Sequence, residues 1–106
     1  MTPSRSLLRL VLAAGFALAS CGSAFAFGDA AEGKTIAMRW CAACHVVTDN
    51  QTSASVDAPT FTEIKKSYGG KMDFLEAFLS EAHPQMPDMN LTYLEIQNLV
   101  AYFEGL

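Results

Sequence analysis

The sequence predicts an all-α fold, a small bundle of about four helices. Three observations carry this. A capping residue is followed three positions later by glutamate at Asp29/Glu32, Thr60/Glu63 and Thr92/Glu95, the spacing of helix N-terminal boxes. After each start, small and apolar residues recur at intervals of three and four, the helical period. No run of alternating β-branched residues bounded by turns reads as a strand.

The first helix opens after Asp29 and runs through "AAEGKTIAMRWCAACH", with Ala30, Gly33, Ala37, Trp40, Cys41 and Cys44 as its stripe. The second, "FTEIKKSY", opens at Thr60 and stops at Gly69 and Gly70, where glycine suits a helix C-terminus. A third spans 71–81, with Phe74, Leu75, Phe78 and Leu79 expected inward. The fourth opens at Thr92, with Leu91 and Ile96 placed as a hydrophobic staple. It carries Ile96, Leu99, Val100 and Phe103 on one face and ends at Gly105. The longer connections, 46–59 and 82–91, are the expected site loops. There is no internal repeat and no low-complexity tract.

The chain has 106 residues, enough for one small domain. Its start is not domain-like. Arg5 and Arg9 precede the uncharged apolar run 10–19, and "AFA" at 24–26 offers small residues for cleavage. That is the layout of a secretory signal peptide over residues 1–26, leaving 27–106 as the domain. A membrane-spanning helix is the competing reading, but Ser20, Gly22 and Ser23 loosen the run. Cleavage removes both leader arginines while all 11 acids stay, so the formal charge falls from −4 to −6. An acidic surface argues against nucleic acid or an anionic membrane as partner. Cys21 lies in the leader, in "LASC", which resembles a lipidation signal. Discard with the leader is favoured over a tether, because the segment from Cys21 to Asp29 is short and carries Phe25 and Phe27. Membrane association is expected only if Cys21 is lipidated.

A domain this small needs a staple such as a disulfide, a metal or a cofactor. "CAACH" at 41–45 is the strongest signal for one. Cysteines at i and i+3 lie on one side of a helical turn. Both sulfurs can reach the vinyl groups of one haem, and His45 can turn its imidazole to the iron, so the motif reads as covalent c-type haem attachment. A dithiol redox motif needs a βαβ setting that is absent from this pattern. A zinc site needs a fourth ligand, for which only His83 offers. A disulfide between residues three apart on a helix is poorly placed.

A six-coordinate haem needs a second axial group. Met38 is seven residues before His45 on the same helix, and Met72 sits near a helix start and more readily packs. "HPQMPDM" at 83–89 is a proline-rich loop in which Pro84 and Pro87 restrict the backbone around Met86. Met86 is the expected ligand, with Met89 and then His83 as alternatives. Thioether with histidine gives a higher reduction potential than a bis-histidine site.

On "CAACH", "HPQMP" and the terminal helices, residues 29–106 resemble a class I, small monohaem cytochrome c. The resemblance implies a helical bundle wrapped around one covalently attached haem c, held by Cys41 and Cys44 and ligated by His45 and Met86. It implies a close contact of Gly33 with Leu99 and Tyr102 of the last helix. Ala37 stands where the family often has an aromatic residue. Pro59 in "DAPTF" resembles the proline whose carbonyl accepts the Nδ1 hydrogen of the proximal histidine; it also simply precedes a helix. The activity implied is one-electron transfer in a bacterial periplasm, by a monomer that is not an enzyme and meets redox proteins transiently. A dedicated haem subunit of a larger oxidoreductase, and a haem-based ligand sensor, are the alternatives.

Overall fold

The computed structural model describes residues 28–54 and 57–106. The predicted leader, Cys21 and the cleavage and lipidation alternatives lie outside them. The order is α1 (Ala30–Trp40), α2 (Phe61–Tyr68), α3 (Met72–Leu79) and α4 (Tyr93–Glu104), with no strand among the described residues.

Two of the three predicted boxes form as reciprocal pairs. The Thr60 hydroxyl accepts the Glu63 N–H at 3.2 Å, while the Glu63 carboxylate accepts the Thr60 N–H at 2.8 Å. Thr92 and Glu95 repeat the pattern at 3.3 and 2.7 Å. These bonds hold both carboxyl groups below the usual glutamate range. The first box is different. The Asp29 carboxylate caps α1 by accepting from the N–H groups of Ala31 and Glu32 at 2.8 and 3.2 Å. The Asp29 N–H donates to Asn98 Oδ1 of α4 at 2.7 Å, taking the place that Glu32 fills in a reciprocal box. Gly69 ends α2 in the left-handed region, with φ of 58°.

The core is built from every helix and one loop residue. α4 supplies Ile96, Leu99, Val100 and Phe103; α3 supplies Met72 and Leu75; Ala37, Phe61 and Val47 complete it. Leu91 packs against the same cluster, as its staple position predicts. Two expectations fail. Phe74 and Phe78 face outward, at 59% and 38% exposure. With about 100° between successive residues, Met72, Leu75 and Leu79 share one face of α3, and Phe74 and Phe78 fall on a second stripe. Trp40 is also outside the core, at 42% exposure, with the Arg39 guanidinium 4.9 Å above its ring. Ala30 is exposed too.

α1 and α4 meet at backbone distance. A side-chain carbon on Gly33 would stand 1.9 Å from the Asn98 carbonyl oxygen and 2.9 Å from Tyr102 Cβ. At Gly28 it would stand 2.1 Å from the Gln97 carbonyl. The partners of Gly33 are therefore Asn98 and Tyr102, while Leu99 points into the core. Farther along, the Lys65 ammonium of α2 donates to the backbone oxygens of Glu104 and Leu106, tying the last turn of α4 to α2.

Because the Gly33 contact is with backbone on the opposite helix, no rotamer change relieves an added carbon. Gly33→Ala is expected to cost about 2–3 kcal/mol, at the upper part of the overpacking range. Denaturant unfolding of the haem-loaded protein measures this, and an unchanged midpoint would show that the helices can separate at little cost.

Candidate functional site

The "CAACH" segment leaves α1 as a tight turn, not as a continuing helix. The Ala37 carbonyl accepts from both Cys41 and Ala42 N–H groups, at 2.9 and 3.0 Å. The Cys41 carbonyl then accepts from Cys44 and His45, at 3.1 and 2.9 Å. This predicted part of the first helix is thus a turn capped at Cys41, because the carbonyl acceptors are shared by successive donors. Cys41 and Cys44 are both free thiols and half-buried. Burial, and then the neighbouring Cys44, push the Cys41 thiol up to about 11, so it is protonated at neutral pH.

One hydrogen bond and one ring contact orient His45. Its Nδ1 lies 2.6 Å from the Pro59 carbonyl oxygen. A carbonyl can only accept, so Nδ1 carries the proton and the Nε2 lone pair is left for a ligand. The ring lies 5.8 Å from that of Phe61, tilted by 57°. Phe61 stacks in turn on Phe103 of α4, with centroids 4.2 Å apart. The Thr60 cap places Pro59 and Phe61 on either side of the start of α2. The Phe61 N–H donates to the Val46 carbonyl at 3.0 Å, next to His45 in the chain.

Two further residues hold this turn, Gln51 and Tyr102. Gln51 Nε2 donates to the carbonyls of Ala42 and His45, both at 2.8 Å, and to that of Ser53 at 3.2 Å. Its Oε1 accepts the Val47 N–H at 3.0 Å. The Tyr102 hydroxyl donates to the Val47 carbonyl at 2.5 Å. Burial is the main cause of the raised Tyr102 pKa, with Asp49 adding to it. Nothing in "TDNQTS" marks the glutamine. Tyr102 is legible only as a helix-crossing residue.

Cys41, Cys44, His45 and Pro59 are thus brought together. Met86, Met89 and His83 belong to a second cluster, in the connection from α3 to α4. A small recess there is lined by Leu79, His83, Met86, Pro87, Met89 and Leu91. The Met86 N–H donates to the His83 carbonyl at 3.3 Å. His83 stacks on Phe78, with centroids 3.6 Å apart and planes 13° apart, and its Nε2 lies 2.5 Å from the Phe78 carbonyl. Among the described residues no group of three or more His, Cys, Asp and Glu side chains has an arrangement that could hold a metal ion. None of their helices is long and apolar enough to cross a membrane.

Two thiols on one turn, followed by an imidazole with one nitrogen fixed, form the donor set of a protein that carries a covalent haem. The sequence model of the family described as Cytochrome c matches residues 30–106, and the chain belongs to that family. It is 38% identical over 90 residues to a protein described as cytochrome c-552 of Bradyrhizobium diazoefficiens, with 85% of this chain and 86% of that protein covered. No solved structure gives a significant match. The chain is a c-type cytochrome, an electron carrier whose cofactor is covalently bound haem c.

The turn that presents Cys44 and His45 depends on bonds from Gln51 that water replaces only in part. Gln51→Ala is expected to destabilise by about 1–3 kcal/mol, the cost of leaving buried acceptors unpaired. Tyr102→Phe removes one such bond and is expected to cost about 1 kcal/mol. Thermal or denaturant unfolding of both variants checks the order: a Tyr102 loss exceeding the Gln51 loss would contradict it.

Proposed function

We propose that the protein is an exported one-electron carrier. In this reading Cys41 and Cys44 would form the thioether links, and His45 Nε2 and Met86 Sδ would be the two side-chain ligands of the iron. The observation that carries the reading is the contact between His45 Nδ1 and the Pro59 carbonyl, which fixes the tautomer and the ring plane. A donor held this way strengthens the other nitrogen as a ligand.

On the opposite side Met86 is favoured over His83. The His83 ring lies stacked on Phe78 with its Nε2 engaged by the Phe78 carbonyl, which leaves only Nδ1 with a free lone pair. Met86 stands between Pro84 and Pro87, and its own N–H is bonded within the loop. Prolines limit the conformations that the loop would otherwise lose on ordering. Haem bound in this way supplies an iron that gains or loses one electron. With both axial positions taken by side chains, the chain leaves no open coordination site for a substrate, so carriage and not catalysis is the expected activity.

The leader reading places the carrier in a bacterial periplasm, as a monomer with transient redox partners and with Cys21 removed together with residues 1–26. Oxidised protein should show the far-red sulfur-to-iron absorption band, and Met86→Ala should abolish it. Survival of the band would remove Met86 from the ligand set. Intact mass of the exported protein is expected to equal residues 27–106 plus one haem. Added lipid mass on a chain starting at Cys21 would instead establish a tethered form.

A further inference from the structure

We propose that His83 is a positioning residue for Met86: it clamps the ligand loop to the end of α3 through its ring and its side-chain N–H. The inference rests on the reading of Met86 as axial ligand.

Three contacts converge. A helix leaves its last carbonyls without intrahelical donors. In α3 no basic residue lies in the last turn to serve them. The Phe78 carbonyl receives the Glu81 N–H at a long 3.3 Å and the His83 Nε2–H at 2.5 Å. Since that oxygen only accepts, Nε2 is the protonated nitrogen. The ring lies flat against Phe78, covering an aromatic side chain that the core does not take in. A hydrogen bond and a stack to the same residue fix both the position and the plane of the imidazole.

The clamp is connected to Met86 through very few free torsions. The His83 carbonyl accepts the Met86 N–H at 3.3 Å, closing a turn. Pro84 and Pro87 lock φ at two further positions of this short segment. His83 and Met86 line the same recess, between Leu79 at the end of α3 and Leu91 before α4. Placing the His83 ring therefore places the turn that carries the sulfur. As a ligand itself, His83 would have to use Nδ1 while its ring stays stacked on Phe78, or give up the carbonyl partner of Nε2.

A neutral thioether is a weak donor, so an exogenous ligand displaces it more readily when its loop opens at lower cost. The test is an imidazole titration of the oxidised, haem-loaded protein, followed by loss of the far-red sulfur-to-iron band. His83→Ala is expected to bind imidazole about tenfold more tightly, the effect of one lost net hydrogen bond and its stack. His83→Phe keeps the stack without the donor, and His83→Gln keeps a donor without the ring; each should fall between parent and alanine variant. If the alanine variant does not accumulate with haem, the phenylalanine and glutamine variants decide by the same titration. Imidazole affinities within about twofold of the parent, with a normal band, overturn the clamp while leaving Met86 as ligand. A parent protein without the band, or a Met86→Ala variant that retains it, overturns the ligand reading and the clamp together.

Discussion

The close approach of α1 and α4 at Gly33 positions nearly everything around the site. With no side chain at that position, the Asn98 carbonyl and the Tyr102 side chain come against the backbone of α1. One turn beyond Gly33, Ala37 is completely buried and its carbonyl starts the turn that carries Cys41. One turn beyond Asn98, Tyr102 and Phe103 reach the other side of the same turn, by the Val47 carbonyl and the Phe61 ring. Asn98 has a second part in the crossing, because its side chain receives the Asp29 N–H. A polar residue buried at a helix interface is stable only when it is bonded, and here that bond replaces half of a capping box. The two ends of the domain thereby hold the haem-attachment turn between them.

The turn itself has little intrinsic stability. Its successive N–H groups share two carbonyls, and its other backbone groups look outward for partners. Gln51, Tyr102 and Phe61 provide them from three different parts of the chain. The result is a His45 whose backbone and ring are both set by residues distant in sequence. For a carrier this matters because electron exchange is fast only if the ligands need little movement between oxidation states. An imidazole held at Nδ1 by the Pro59 carbonyl, against Phe61, has its ring orientation set by the protein itself.

What could be read from the sequence follows from how local each feature is. The helix starts at Thr60 and Thr92 and the stop at Gly69 depend on residues within four positions of one another, and these are where prediction and structure agree. Pro59 was legible only through a family resemblance, since its partner is fourteen residues away. Gln51 and Asn98 carry no local signature, because their roles are defined by carbonyls and N–H groups that the fold brings to them. The inward assignment of Phe74 and Phe78 had a different cause. Hydrophobicity alone does not set the phase: α3 has two apolar stripes, and only the one through Met72 and Leu75 meets α4 and the core. The Glu32 half of the first box failed because a tertiary acceptor, Asn98, won the donor that a local one was expected to take.

That second stripe of α3 connects to the asymmetry of the site. The His45 side is secured by bonds from three elements, whereas Met86 sits in a connection without regular structure and with its own short-range bonds. The Asp88 carboxylate accepts the Asn90 N–H at 2.9 Å, and Asn90 takes a left-handed φ of 48°, turning the chain into the Thr92 cap of α4. The loop is thus fixed at its far end by this turn and at its near end by His83 on Phe78. Phe78 faces away from the core, but it serves as the surface on which that near end rests. In the proposed reading of Met86 as ligand, such a loop could hold a weak neutral donor because the entropy of ordering is spread over two prolines, one stack and two turns rather than falling on the metal bond alone. Strength on one side and preorganisation on the other would give both proposed donors, His45 and Met86, a defined position from quite different parts of the sequence.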